Sequence, residues 1–145
     1  MSKRTSILKA LAAKFKEELD GTKHASNVYG NVEAKLKFWD ECNEFPSIYM
    51  SPGSEQREYL PGAFTWAYLG VSLKLYCKGE DSQEQLEQLL EDVEKVIDDN
   101  RVLVYDTVKN YETTEILVAS ITTDEGLLAP YSVGEINLQV RYQLM

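Results

Sequence analysis

The chain has 145 residues, 43% of them apolar and 27% charged, which at about 100 to 200 residues per domain predicts a single globular domain over 1–145 and argues against disorder. Fifteen basic side chains against 24 acidic ones leave a net charge of -9, which repels a phosphate backbone and sets specific duplex binding aside. The longest uncharged stretch, Tyr59 to Leu73, is broken by Pro61 and Gly70 and is shorter than the roughly 20 residues a membrane helix needs. No uniform apolar run follows Lys3 and Arg4, so neither export nor a membrane is expected.

From Ser6, the residues Ile7, Leu8, Leu11, Ala12, Phe15 and Leu19 recur at spacings of three and four, which predicts an amphipathic helix that Gly21 ends. Between Thr22 and Glu44 the pattern is divided: Val28 and Tyr29 suit a short strand, while Val32, Leu36 and Trp39 have helical spacing. Phe45 to Met50 reads as a short strand after the break at Pro46. Ser51 to Gly62, with Pro52, Gly53, Pro61 and Gly62, reads as a loop of some twelve residues.

Ala63 to Lys78 is the clearest strand. Alternation places Ala67, Leu69, Val71, Leu73, Leu75 and Cys77 on a core face and Phe64, Trp66, Tyr68, Ser72, Lys74 and Tyr76 on the other. A second helix starts at Ser82, where Gln85 three residues on suggests a capping box, and continues through Leu86, Leu89, Leu90, Val93, Val96 and Ile97. Three more strands are predicted at Val102 to Tyr105, Ile116 to Thr122 and Glu135 to Leu144, with a turn region from Gly126 to Gly134 before the last. In that last strand, Ile136, Leu138, Val140, Tyr142 and Leu144 alternate with Asn137, Gln139, Arg141 and Gln143, the pattern of a sheet with one covered and one wet face. Two single-striped helices and single-faced strands satisfy one another by stacking, so the predicted fold is α+β: a two-layer sandwich with two main helices on one face of a mostly antiparallel sheet.

Chemistry is sparse. His24 is the only histidine available as a base and reads as a solvated linker residue. Cys42 and Cys77, without CxxC spacing, read as two reduced, buried thiols. No phosphate loop, dinucleotide fingerprint or HExxH pair is present. The acidic residues of the second helix, Asp92 among them, read as its solvated outer face. Asp98 and Asp99 crowd that helix's C-terminal end, where the macrodipole disfavours them, so either Arg101 compensates or the end faces a basic partner. The aromatic residues opposite the core face suit protein contacts or cover by the chain's own loops. No cofactor or metal is expected.

The order of elements carries a resemblance. An amphipathic helix, FPSIYMSPGSEQREYLPG, a long strand, EQLEQLLEDVEKVI and ITTDEGLLAPYSVGEINLQVRYQL together resemble the tail terminator (tail completion) proteins of long-tailed bacteriophages, from about Ile7 to Leu144. Its most specific parts are Phe45-Pro46-x-Ile48 and the Thr123-Asp124-Glu125-Gly126 turn leading through Pro130 and Gly134 into the final strand. The resemblance implies a structural virion protein, not an enzyme, assembled in the host cytoplasm. It implies a ring, expected to be a hexamer, that caps the head-proximal end of the tail tube and stops its polymerisation. Its partners are then other copies of itself, the tube protein and the head connector, with DNA passing the bore without specific binding. The resemblance supplies no active-site positions. Candidate interaction residues, chosen on physical grounds, are Glu55, Arg57 and Glu58 in the long loop, Asp124 and Glu125 in the turn, and Asn137, Gln139 and Arg141 on the exposed strand face. The alternatives are another neck or tail-tube ring component, or a small cytoplasmic enzyme or ligand-binding domain.

Overall fold

In the computed structural model, which describes residues 2–144, the Ser2 side chain caps the first helix by accepting the Thr5 amide at 3.1 Å. That helix, α1 (Lys3–Glu18), ends where the Leu19 amide bonds back to the Phe15 carbonyl, and Gly21 follows in the left-handed conformation. The remaining elements are β1 (Val32–Glu33), a single 3-10 turn (Trp39–Glu41), β2 (Ser47–Leu60), β3 (Phe64–Lys78), α2 (Ser82–Asp99), β4 (Val104–Asp106), β5 (Tyr111–Glu112), β6 (Glu115–Thr123) and β7 (Tyr131–Gln143). Five strands form one sheet in the order β1-β2-β3-β7-β6, antiparallel throughout except for the short β1–β2 pairing. β4 and β5 form a separate hairpin. This is the α+β two-layer arrangement the sequence predicts.

Period-two alternation fixes the two faces of the sheet. Leu69, Val71, Leu73 and Leu75 of β3 stand opposite Val140, Leu138, Ile136 and Gly134 of β7, and all are buried under the helices. α2 packs over β3, β7 and β6, whereas α1 packs over β1, β2 and β4. Gly134 is what lets α2 sit close: a Cβ there would stand 3.1 Å from a Leu86 methyl and 3.3 Å from one of Leu90. On the opposite face the residues 37–45 fold over one end, burying Tyr49 and Tyr76 in a small second cluster with Cys42. The Tyr76 hydroxyl donates to the Lys37 carbonyl at 2.5 Å. Burial raises the Cys77 thiol to about 12 and also pushes Cys42 upward, so both stay protonated thiols near neutrality.

Several local expectations give way. The stretch from Ser51 to Gly62 is not a loop: β2 runs to Leu60 and only residues 61–63 turn. Pro52 and Gly53 sit at a bulge in a strand that has no outer strand partner there among the described residues, where a missing amide donor costs the ladder nothing. The second helix has no capping box. Asp81 is its N-cap, the Gln85 side-chain Nε2 donates to the Asp81 carboxylate at 3.0 Å, and Ser82 turns inward to share a 2.9 Å hydrogen bond with buried Ser132. The last strand starts four residues earlier than predicted, at Tyr131, and residues 22–44 form mainly irregular chain with an isolated Asp20–Asn27 bridge. At the end of α2, Arg101 lies 3.5 Å from Asp98, the local compensation that the macrodipole calls for.

Asp92 and His24 are the clearest departures from solvated readings. Asp92 is buried on α2, accepting the Ser26 amide and the Gln88 side chain, each at 3.0 Å, with His24 Nδ1 3.9 Å away. The carboxylate straps the linker after α1 to the helix layer, and His24 is half-buried there.

Three outcomes follow from this packing. Leu90→Ala should cost about 2 to 5 kcal/mol, through lost transfer energy and a cavity against Gly134, and Asp92→Ala about 1 to 3 kcal/mol by stranding the Ser26 amide. Exposed Glu87→Ala should stay within about 0.5 kcal/mol; urea titration ranks the three, and equal costs for Asp92 and Glu87 would contradict the strap. Glu135 supplies a pH-dependent term: the Ser72 hydroxyl at 2.7 Å and then the Lys74 ammonium at 2.9 Å hold its carboxyl below its ordinary value of 4.5. Its folded pKa is depressed, so its stabilisation is complete above 4.5 and is lost as pH falls through the lower folded value. Glu135→Gln should therefore flatten the acid limb of a stability-versus-pH curve and leave its shape unchanged above pH 6.

Candidate interaction surface

The eight candidate residues fall into three places. Glu55 and Arg57 of β2 stand opposite Leu69 and Ala67, on the helix side of the sheet. The Glu55 side chain is 6% exposed, accepts a short hydrogen bond from the Tyr142 hydroxyl and pairs with Arg57 at 3.0 Å, while Arg57 remains about half exposed. Burial and the adjacent Glu55 carboxylate hold the Tyr142 phenol well above its ordinary range. Glu55 thus belongs to the framework joining β2 to β7, and Arg57 is the member of that pair that reaches solvent.

Asp124 and Glu125 lie at the far end of the sheet. The Asp124 carboxylate accepts the Leu128 amide at 3.1 Å and the Val133 amide at 3.2 Å, which makes it a turn-holding residue. Glu125 is exposed and adopts φ 56.

The remaining four share one surface. Glu58, Asn137, Gln139 and Arg141 stand on the sheet face opposite the helices, together with Trp66, Tyr68, Ser72, Lys74 and Glu135. The Arg141 guanidinium lies 4.4 Å from the Trp66 ring centre and 5.6 Å from that of Tyr68, so cation–π contacts fix it across the strands. The Tyr68 hydroxyl donates to Glu58 at 3.1 Å, and Asn137 donates to Ser120 at 3.0 Å. Of the aromatic residues predicted on this face, Tyr76 is covered by the 37–45 segment, Trp66 and Tyr68 are braced by Arg141, and Phe64 stays exposed at the hairpin tip. Lys74 and Glu135 belong to this surface too. Strand alternation marks them as wet, but only the β3–β7 register makes them partners.

Beyond this face, the sheet has open sides. β1 covers β2 only at Ile48 and Tyr49, so β2 from Ser51 to Leu60, and β6 along its length, have no outer strand partner among the described residues. Such edges offer unpaired amides and carbonyls to another strand. The surface outside the helix layer is thus a mixed polar and aromatic face flanked by two strand edges.

The chain is 39% identical, over an alignment of 153 residues covering 99% of it and 95% of the relative, to the tail tube terminator protein p142 of Escherichia phage T5. Its fold is similar to that of a chain in the virion of a native gene transfer agent particle, with a TM-score of 0.66 at 10% identity and with 98% of this chain and 99% of that one covered. Residues 1–145 match the family described as Bacteriophage Tail Tube Terminator Protein, and the chain accordingly belongs to the bacteriophage tail tube terminators, structural proteins of the virion.

Proposed function

We propose that the protein closes into a ring, expected to be a hexamer, on the head-proximal end of the tail tube, ends tube polymerisation there and gives the head connector its docking surface. It acts by occupying that end and not by turnover. The observation that carries this reading is the direction of the two open edges. β2, β3, β7 and β6 alternate in direction, so β6 and β2 of the same chain run oppositely. A neighbouring copy rotated about a ring axis then brings its β2 beside β6 as an antiparallel partner, and the alternation continues from copy to copy. A contact between two different edges of identical chains is heterologous and closes when the rotation per copy is right.

Arg57, half exposed on the open β2 edge, falls within the proposed junction, as do the outer residues of β6. Glu58, Asn137, Gln139 and Arg141 form the uncovered face that such a ring turns to its bore or to a partner. A chain of net charge -9 gives DNA no reason to adhere in passing. The test is assembly without the protein: electron microscopy should then show overlong tubes that do not join heads. Tubes of normal, uniform length attached to heads would sink the proposal.

A further inference from the structure

The two flanks of the sheet carry surfaces of opposite charge. Because α1 lies over β1 and β2 while α2 lies over β3, β7 and β6, their outward sides belong to opposite ends of the strand order. On the α2 flank the helix leaves the last part of β6 uncovered. Ile121, which stands opposite Ile136 on the helix side of the sheet, remains 37% exposed. A groove of about 820 Å³ follows this gap, with Leu86, Leu90 and Ile121 among its lining and Glu84, Glu87, Glu91 and Glu94 along the helix wall. No lysine or arginine lines it. Among the described residues, the only one of these four glutamates in an ion pair is Glu91, with Lys95 at 3.5 Å. Carboxylates three and four residues apart on one helix repel each other, so the wall favours the arrival of cations.

The α1 flank supplies them. Lys9, Ala13 and Lys16 form an exposed stripe at spacings of four and three, and neither lysine takes part in an ion pair among the described residues. Nearby Glu17 is already engaged by Lys14 at 3.6 Å and by Lys23 at 3.9 Å. Lys9 and Lys16 are seven residues apart, as are Glu84 and Glu91, and Glu87 and Glu94. At about 1.5 Å of rise per residue both sets therefore repeat after the same two turns. Small Ala13 between the lysines lets a helix approach the groove closely.

We infer that the occupant of the groove is a second copy of this chain, whose α1 docks against α2 and β6 with Lys9 and Lys16 facing the glutamate wall. The inference rests on the ring proposed above and adds a helix-layer contact to its strand edges: the edge flanked by the groove is β6, and the edge flanked by α1 is β2. Charge pairs at such a rim act mainly on encounter and register, and Ile121 contributes apolar burial. Within one chain the two surfaces sit on opposite flanks, so a link between them reports two copies.

The test uses purified tails, treated with a zero-length carbodiimide cross-linker and digested for mass spectrometry. Lys9 or Lys16 should be found joined to Glu84, Glu87, Glu91 or Glu94 of another copy. In parallel, Glu87→Lys with Glu91→Lys should abolish tail completion, as should Lys9→Glu with Lys16→Glu. All four changes in one chain should restore it, each variant being shown folded by circular dichroism. Groove glutamates joined instead to lysines of a different protein, or both reversed pairs completing tails like the parent, would overturn the inference. Copies cross-linked only through other surfaces would overturn the docking and leave the ring standing. Absence of any copy-to-copy link together with absence of ring density at the tube end would overturn both.

Discussion

The pairing of β3 with β7 is the constraint from which the rest of the molecule follows. From Trp66 opposite Gln143 to Lys78 opposite Tyr131 the ladder runs without a register shift, and each step fixes which side chain meets the helices. A slip of one residue would turn Leu69, Val71 and Leu73 outward and bring Tyr68, Ser72 and Lys74 against α2. Because Gly134 is in register with Leu75, the missing side chain that lets Leu86 and Leu90 of α2 come close lies at that level. The wet face inherits its order from the same register, with Lys74 beside Glu135 and Arg141 beside Tyr68.

Buried polar groups then attach the less regular chain to this frame. Glu55 ties β2 to β7 through Tyr142, Ser82 ties the start of α2 to Ser132 of β7, and Asp92 ties the linker near Ser26 to α2. Each is a satisfied group in a place where an unsatisfied one would be costly. The carboxylates that look most functional by type, the aspartate beside His24 and the glutamate beside Tyr142, are thereby engaged in holding the architecture.

The periodic parts of the fold were legible in the sequence because their signal is local. The stripes of α1 and α2 and the alternation of β3 and β7 each reside in one segment, and the resemblance to tail terminators lay in the order of those segments. β2 was not legible beyond Met50, because Pro52, Gly53 and charged residues on both sides give a strand edge the composition of a loop. Asp92 was misread since its partner is 66 residues away, and helical spacing alone cannot distinguish a carboxylate facing water from one facing a linker. The candidate interaction residues show the same division. Alternation correctly placed Asn137, Gln139 and Arg141 on one wet face, whereas Glu55 and Asp124 turned inward through contacts that no local pattern encodes.

The strands flanking the central pair share one irregularity. β2 carries an extra residue between Pro52 and Glu55, opposite Val71 and Leu69, and β6 carries one between Val118 and Ser120, opposite Leu138 and Asn137. Val71 and Leu138 are themselves partners, so both flanking strands bulge at the same height of the sheet. A bulge bends its strand and increases its twist, and two at one height curve both sides while the straight ladder between them keeps its register. Curvature is what a sheet needs to serve as a segment of a closed wall. The same features discourage indiscriminate pairing: Pro52, Glu55, Arg57 and Glu58 on one edge and a bulge on the other are devices that blunt strand edges against unrelated chains. An edge that is irregular and charged pairs well only with a surface of matching irregularity, and in the ring proposed above such selectivity would favour closure among copies over open-ended addition.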